Sequence, residues 1–229
     1  MTMNMLNSPP TSTMRAPSVS SIVGQPSLVL PASHPRLRAC FELRYRYFVE
    51  ERGWVAANPD EPGVERDSYD DEAIHVAVQD GNGIAAYLRM LPFRSETGFM
   101  IDSEFSGVLS DEARQNLPRK DSLELSRLVV RSGFQLQSGM QVHPLELLFK
   151  QFYQESKARG FERFYIVVEP GWIRLFARNF GVVFRVMGQP YTFPDGTKAV
   201  AAAATLQELQ EGMRRHSTMK WNWYEQEES

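Results

Sequence analysis

The chain has a single cysteine, Cys40, among its 229 residues. It therefore forms no intrachain disulfide, and such sparing use is what a reducing, cytoplasmic setting predicts. No run of 18 or more apolar residues occurs, and the first residues lack the charged-then-apolar order of a signal peptide. A soluble chain with no stable membrane insertion is expected. Positive charge is not in excess: 25 Lys and Arg stand against 28 Asp and Glu, a formal net charge of -3. That balance gives no global attraction for nucleic acid, so no nucleic-acid partner is expected. The four histidines, His34, His75, His143 and His216, are scattered without a His-Glu-x-x-His pair, so neither a metal nor a resident cofactor is assigned. There is no Walker loop and no Gly-x-Ser-x-Gly elbow. Cys40 lies beside an apolar stripe and reads as a small buried hydrophobe, not a nucleophile.

What is present suits one globular domain: 42% of the residues are hydrophobic, and a chain of this length buries roughly 70% of its unfolded surface. Residues 1–32 are rich in Ser, Thr, Pro and Met without a hydrophobic period, so a flexible extension is expected there. The domain is assigned to residues 33–216. Residues 217–229 form an aromatic and acidic tail that caps the domain or covers a tunnel. No internal repeat is visible.

A helix is predicted from His34-Pro35, with Leu37, Phe41, Arg44 and Phe48 at helical spacing and Gly53 as its stop. Strands at 74–79 and 84–91 flank Asp80-Gly81-Asn82-Gly83, a hairpin turn. Further strands are predicted at 122–130, near the sheet centre, and at 164–168, 182–186 and 199–206. Pro144 to Arg159 is a helix ended by Gly160, with Leu145, Leu148, Phe149 and Phe152 on one side, and Pro170 to Asn179 is a second. The sum is a mixed α/β (α+β) sheet with helices packed on it.

Arg44 falls on the apolar stripe of the first helix, and a guanidinium there demands an anion because it cannot be neutralised. Asp67 and Asp70 follow in an acidic loop, and Arg89 and Arg127 lie in strands. Buried ion pairs are one reading, a solvated acidic loop the other.

The motifs Leu43-Arg44-x-x-x-Phe48, Arg52-Gly53-Trp54, Asp67-x-Tyr69-Asp70, Arg89-x-Leu91-Pro92 and Glu124-x-Ser126-Arg127 occur in this order between Arg36 and about Val130. Together they resemble the signature of the acyl-homoserine-lactone synthases, the autoinducer synthases of quorum sensing. The resemblance implies a single-domain, three-layer α-β-α acyltransferase fold like that of the GCN5-related N-acetyltransferases, whose splayed central sheet grips a pantetheine arm. It implies acyl transfer from acyl carrier protein or coenzyme A to the amine of S-adenosylmethionine, then lactonisation and release of methylthioadenosine. Leu123, where the family usually has an aromatic residue, and Phe93, where it usually has threonine, point also to a sister group. Those acyltransferases make N-acyl amino acids or accompany exosortase systems. A catalytically silent metabolite-binding module of the same fold is the third reading.

Carried onto this chain, the resemblance places Arg44, Phe48, Trp54, Asp67, Asp70 and Arg89 at the S-adenosylmethionine pocket. A sulfonium, a carboxylate and an adenine call for an aromatic wall, an arginine and carboxylates; core packing is the competing role for Trp54. Glu124, Ser126 and Arg127 are the catalytic candidates, with Glu124 receiving the amine proton and Arg127 and Arg89 pairing with Asp70 and Asp67. Strand alternation puts Glu124 and Ser126 on one face and Arg127 on the other unless a bulge intervenes. An acyl tunnel is expected among Phe105, Leu148, Phe152, Ile166, Val168, Trp172 and Phe176, with Phe99 and Met100 as further candidates. Ile166 falls where relatives preferring 3-oxo chains tend to carry threonine, which favours an unsubstituted chain. Lys150, Lys157 and Arg159 offer a basic face for an acidic carrier protein or an ordinary solvated helix face.

Overall fold

The computed structural model describes residues 27–105, 107–132, 142–193 and 195–226. Seven strands form one sheet in the order β1-β2-β3-β4-β5-β7-β6. In chain order they are β1 (Ser27–Leu30), β2 (Ile74–Asp80), β3 (Gly83–Pro92), β4 (Ser122–Val130), β5 (Arg163–Val168), β6 (Arg185–Thr192) and β7 (Lys198–Thr205). The helices are α1 (Leu37–Arg44), α2 (Met100–Ser103), α3 (Asp111–Gln115), α4 (Pro144–Arg159), α5 (Pro170–Phe180), α6 (Leu206–His216) and α7 (Thr218–Glu225). A π-helical segment, Tyr45–Glu51, continues α1 without a break.

β4 is the fourth of the seven strands, the central place expected for it. It pairs antiparallel with β3 and parallel with β5, and the other neighbours are antiparallel. Strand alternation sorts the side chains to two faces. Leu88, Met90, Leu123, Phe164, Ile166, Ala202 and Ala204 meet α4, α5, α6 and α7 on one face. Ala77, Tyr87 and Val129 meet α1 on the other, where Tyr165, Ala201 and Ala203 meet the segment of α2 and α3. The result is the expected three-layer α-β-α arrangement.

Two features of the sheet position the site. The β4–β5 pairing runs only from Ser122↔Arg163 to Leu125↔Ile166, so the C-terminal ends of these parallel strands part. On the other edge of β4, Tyr87 faces Val129 and Arg89 faces Ser126, leaving Leu88 opposite both Arg127 and Leu128. This is a β-bulge, and Arg127 adopts a φ of 55°, a left-handed backbone uncommon for a residue with a side chain.

Several boundaries differ from expectation. The extension assigned to residues 1–32 gives up Ser27–Leu30, which pairs as β1 along β2 and buries Leu30. Its residues 1–26 lie outside the described ones. The strand expected at 182–186 begins at Arg185 instead: Val182 and Phe184 are irregular and fully buried, plugging the core, while the strand itself is largely exposed at the sheet edge. The tail is helical over Thr218–Glu225 and buries Tyr224 in the core beside Phe149. α6 and α7 follow β7 directly, α6 begun by a Thr205/Glu208 capping box.

Candidate active site

α1 carries Arg44 inward because Leu37, Cys40, Phe41 and Leu43 bury the same side of the chain against β3 and β4. Burial pushes the Cys40 thiol up to about 12, so it stays protonated and inert, as its sequence context suggests. The π-helical turn ends at Arg52. Gly53, at φ 61°, then reverses the chain so that the Trp54 amide donates to the Phe48 carbonyl at 2.9 Å. Phe48 and Trp54 are thereby held side by side, ring centroids 6.3 Å apart.

Arg44 has no exposed surface. Its Nε donates to Glu65 at 2.5 Å and its Nη1 to Asp70 at 2.6 Å, while its Nη2 stands 4.0 Å from Asp67. Arg89, equally buried, donates from Nη1 to Asp67 at 2.5 Å and to Asp70 at 2.9 Å, and from Nε to the Ser126 hydroxyl at 2.9 Å. Arg127 completes the set with contacts to Glu65 at 3.1 Å and Asp67 at 3.0 Å. Three guanidinium groups thus meet three carboxylates, and the cluster is neutral. Burial alone would raise the Asp70 carboxyl, but Arg44 and Arg89 outweigh it and hold Asp70 well below the usual carboxylate range.

The bulge decides the membership of this cluster. It turns Arg127 to the face that already carries Glu124 and Ser126, while Leu123, Leu125 and Leu128 face α4. Arg127 also lies over the Phe48 ring at 5.5 Å, and with 14% of its side chain exposed it reaches the cluster's open side.

Behind the cluster, His75 Nε2 donates to the Asp70 carbonyl at 2.9 Å, since a carbonyl only accepts. Burial lowers the His75 pKa, so the ring is neutral and its Nδ1 accepts from the Tyr87 hydroxyl at 2.7 Å. Tyr87 in turn stands 3.5 Å from Arg44 Nη1. Glu65, His75 and Tyr87 were not singled out by sequence. The charge count was the available signal: three inward arginines need three acids, and only two had been assigned.

Glu124 pairs with Tyr165, one residue before the last β4–β5 pair, and is fully buried. Its Oε2 accepts from the Ile101 amide at 3.2 Å, at the start of α2. The next residue, Asp102, accepts from the Phe99 amide at 3.3 Å and is held by Arg119 through two bonds of 2.6 and 3.0 Å. Desolvation dominates nonetheless and pushes Glu124 up to about 7, with the Ile101 amide and Arg89 only partly opposing it. A carboxyl so placed exchanges a proton near neutral pH.

Residues 43–143 match the acetyltransferase (GNAT) domain family. Among solved structures, TofI in a ternary complex with an inhibitor and MTA has a TM-score of 0.62 at 25% identity, covering 80% of this chain and 95% of that one. BjaI, a CoA-dependent acyl-homoserine lactone synthase solved with SAM and isopentyl-CoA, has a TM-score of 0.65 at 22% identity over 83% of this chain and 89% of that one. The fold is that of the acyl-homoserine lactone synthases. FeeM, an N-acyl amino acid synthase from uncultured soil microbes, shares it at a TM-score of 0.56 and 15% identity, over 83% of this chain and 95% of that one. A search of curated protein sequences gave no match.

In this acyltransferase fold the parted ends of β4 and β5 open onto a cavity beneath α4. Leu148, Phe152, Ile166, Val168 and Phe176 line it, together with Leu125 and Leu128 of β4. Two residues expected there are elsewhere. Phe105 packs on the opposite side of the sheet against Tyr191 and Phe193, centroids 5.5 and 6.1 Å away, because it follows α2 on the cluster's face. Trp172 packs behind the wall against Phe176, centroids 5.9 Å apart with the rings tilted by 37°. Phe99 and Met100 likewise belong to the α2 side.

Trp54 is half-buried. It stacks on Phe193 at 4.5 Å with the rings 2° from parallel, and its indole N–H donates to Asp195 at 2.9 Å. The β6–β7 turn therefore forms one wall beside Phe48, a neighbour that sequence gave no reason to place there. Arg52 lies over the other face of Trp54 at 4.1 Å and pairs with Glu169 at the end of β5.

The three basic residues expected to form a docking face are placed differently from one another. Lys150 is buried with its ammonium over Trp223 at 4.9 Å, and Lys157 pairs with Glu225 at 2.6 Å, both from α7. Arg159 pairs with Glu155 on its own helix at 2.8 Å. α7 covers Lys150, while Lys157 and Arg159 keep about half of their side chains exposed. Among the described residues no helix is long and apolar enough to cross a membrane.

Proposed function

We propose that this chain is an acyl-homoserine-lactone synthase, moving an acyl group from a carrier-protein or coenzyme A thioester to the amine of S-adenosylmethionine. One observation carries the reading: Glu124, a buried carboxyl tuned to about 7, stands where β4 leaves β5, with the charged cluster on its own face and a hydrocarbon cavity on the other. A charged amine and an apolar thioester approach from two sides and meet at a proton acceptor.

The amine nitrogen attacks the thioester carbonyl. Glu124, directly or through a water, takes the proton, and backbone amides on the edge of β4 freed by the splay stabilise the oxyanion. The C–N bond forms, the C–S bond breaks, and the thiol leaves with a proton. The substrate's carboxylate then displaces the sulfonium carbon–sulfur bond, closing the lactone and releasing methylthioadenosine. Asp67 and Arg127, the partly exposed members of the cluster, face the amine and carboxylate of the substrate, and Phe48 and Trp54 brace that wall. Arg44, Arg89 and Asp70, having no exposed surface to speak of, act as positioning residues, as does Ser126 through Arg89. Holding two reactants in attack geometry is worth roughly 7 to 11 kcal/mol, more than one general base supplies. The solved BjaI complex with SAM and isopentyl-CoA supports this pair of substrates.

The test is incubation with S-adenosylmethionine and a panel of acyl thioesters, read by mass spectrometry. Acyl-homoserine lactone with methylthioadenosine is expected. The likeness to FeeM favours a second reading, N-acyl amino acid synthesis; an acylated amino acid without methylthioadenosine selects it and ends the first.

A further inference from the structure

We infer that the acyl group this chain transfers is short and purely aliphatic, straight or branched, with no oxygen on the chain and no aromatic ring. The inference rests on the acyl-transfer reading above and narrows its donor.

Size is the first argument. The cavity where β4 and β5 part measures about 40 Å³, whereas an engineered cavity of roughly 150 Å³ lined by Leu, Ile and Phe is what holds a benzene ring. Neither an aryl group nor a long alkyl chain fits without moving the walls. Those walls are braced. Phe149 stacks on Phe180 at 4.4 Å and 16°, Phe152 meets Phe164 edge-on at 4.9 Å, and Phe176 packs on Phe184 at 5.5 Å. α7 backs them from outside, with Tyr224 against Phe149 at 6.0 Å. A close-packed interior of this kind resists expansion, and overfilling it is costly.

Chemistry is the second argument. Every residue lining the cavity is Leu, Ile, Val or Phe. A keto or hydroxyl oxygen on the chain would be stripped of water there and find no donor or acceptor side chain.

The experiment measures kcat/KM with S-adenosylmethionine held fixed and a series of coenzyme A donors: butyryl, isovaleryl, hexanoyl, octanoyl, dodecanoyl, 3-oxohexanoyl and benzoyl. Butyryl and isovaleryl should lead, with losses of about tenfold or more for octanoyl and beyond, since a single misfitted methylene is worth roughly 10- to 200-fold. Phe152→Leu and Phe184→Leu, conservative enough to fold, should move the optimum to longer chains. Val168→Thr, equal in shape, should raise 3-oxohexanoyl relative to hexanoyl. A wild-type preference for dodecanoyl, benzoyl or 3-oxohexanoyl, or a ranking unmoved by all three variants, overturns this inference and leaves the acyltransferase reading standing. No transfer from any thioester to any amine overturns both.

Discussion

The two faces of β4 are built from opposite materials. On one, Arg44, Arg89 and Arg127 meet Glu65, Asp67 and Asp70 in a network without net charge. On the other, Leu125 and Leu128 border a cavity lined by aliphatic and phenylalanine residues. Nine residues of one strand separate them, and a single bulge at Arg127 keeps them apart. Without it, strict alternation would send the Arg127 guanidinium into the hydrocarbon side and Leu128 into the charges. A left-handed φ at one residue is thus the local strain that lets one strand serve an ionic partner and an apolar one.

Removing a charge from the ionic face should do the most damage. Arg44→Ala leaves Glu65 and Asp70 buried with one fewer partner, a loss of about 3–5 kcal/mol, so urea unfolding should show a sharply lowered midpoint and turnover should vanish. Arg44→Lys should not restore it, because one ammonium cannot span both carboxylates as the guanidinium does.

Glu124→Gln tests the boundary between the faces. Rate should fall by roughly 10² to 10⁴ without disappearing, and the wild-type rise in rate through pH 7 should flatten. Stability should move the other way. Because the folded Glu124 holds its proton up to about 7 and the unfolded one releases it near 4.5, wild-type stability declines as pH rises between these values. The variant escapes that decline, gaining up to about 3 kcal/mol at pH 8 and little at pH 4. Thermal melts at the two pH values measure the difference.

Asp70 gives the opposite sign. Its folded pKa lies below the ordinary value of 3.8, so its contribution is complete above that value and is lost as pH falls toward the lower one. Acid titration of the wild type should show a steep loss of stability below about pH 4. Asp70→Asn, weaker by roughly 2 kcal/mol at neutral pH through its charged hydrogen bonds, should show a shallower one.

Charge reversal on α4 should matter least. Lys157→Glu meets Glu225 instead of a carrier protein, so the expected result is a small drop in melting temperature, under about 1 kcal/mol, with the Michaelis constant for an acyl-carrier donor unchanged. A selective rise in that constant would restore the docking face.

Sequence reached the parts of this molecule that burial writes into periodicity. The hairpin, β4 and α4 carry period-2 or helical apolar patterns, the hairpin and α4 with glycine or proline beside them, and Arg44 declared itself by being charged on an apolar stripe. β6 was misplaced because an edge strand buries little, while the apolar Val182 and Phe184 beside it plug the core as loop. α6 was legible in principle from the Thr205-x-x-Glu208 box. The bulge was not, since it exists only in the register of β4 against β3, and no single strand records its partner's alignment. Glu65 escaped for a related reason: several acids crowd one loop, and only the fold selects those that turn inward.

The most direct test of the account follows free thiol, acyl-homoserine lactone and methylthioadenosine together in one reaction of butyryl-coenzyme A with S-adenosylmethionine, from pH 5.5 to 8.5. Equal amounts of the three, formed at a rate that climbs through pH 7, are predicted. Thiol release without methylthioadenosine, or a rate indifferent to pH across that range, would contradict it.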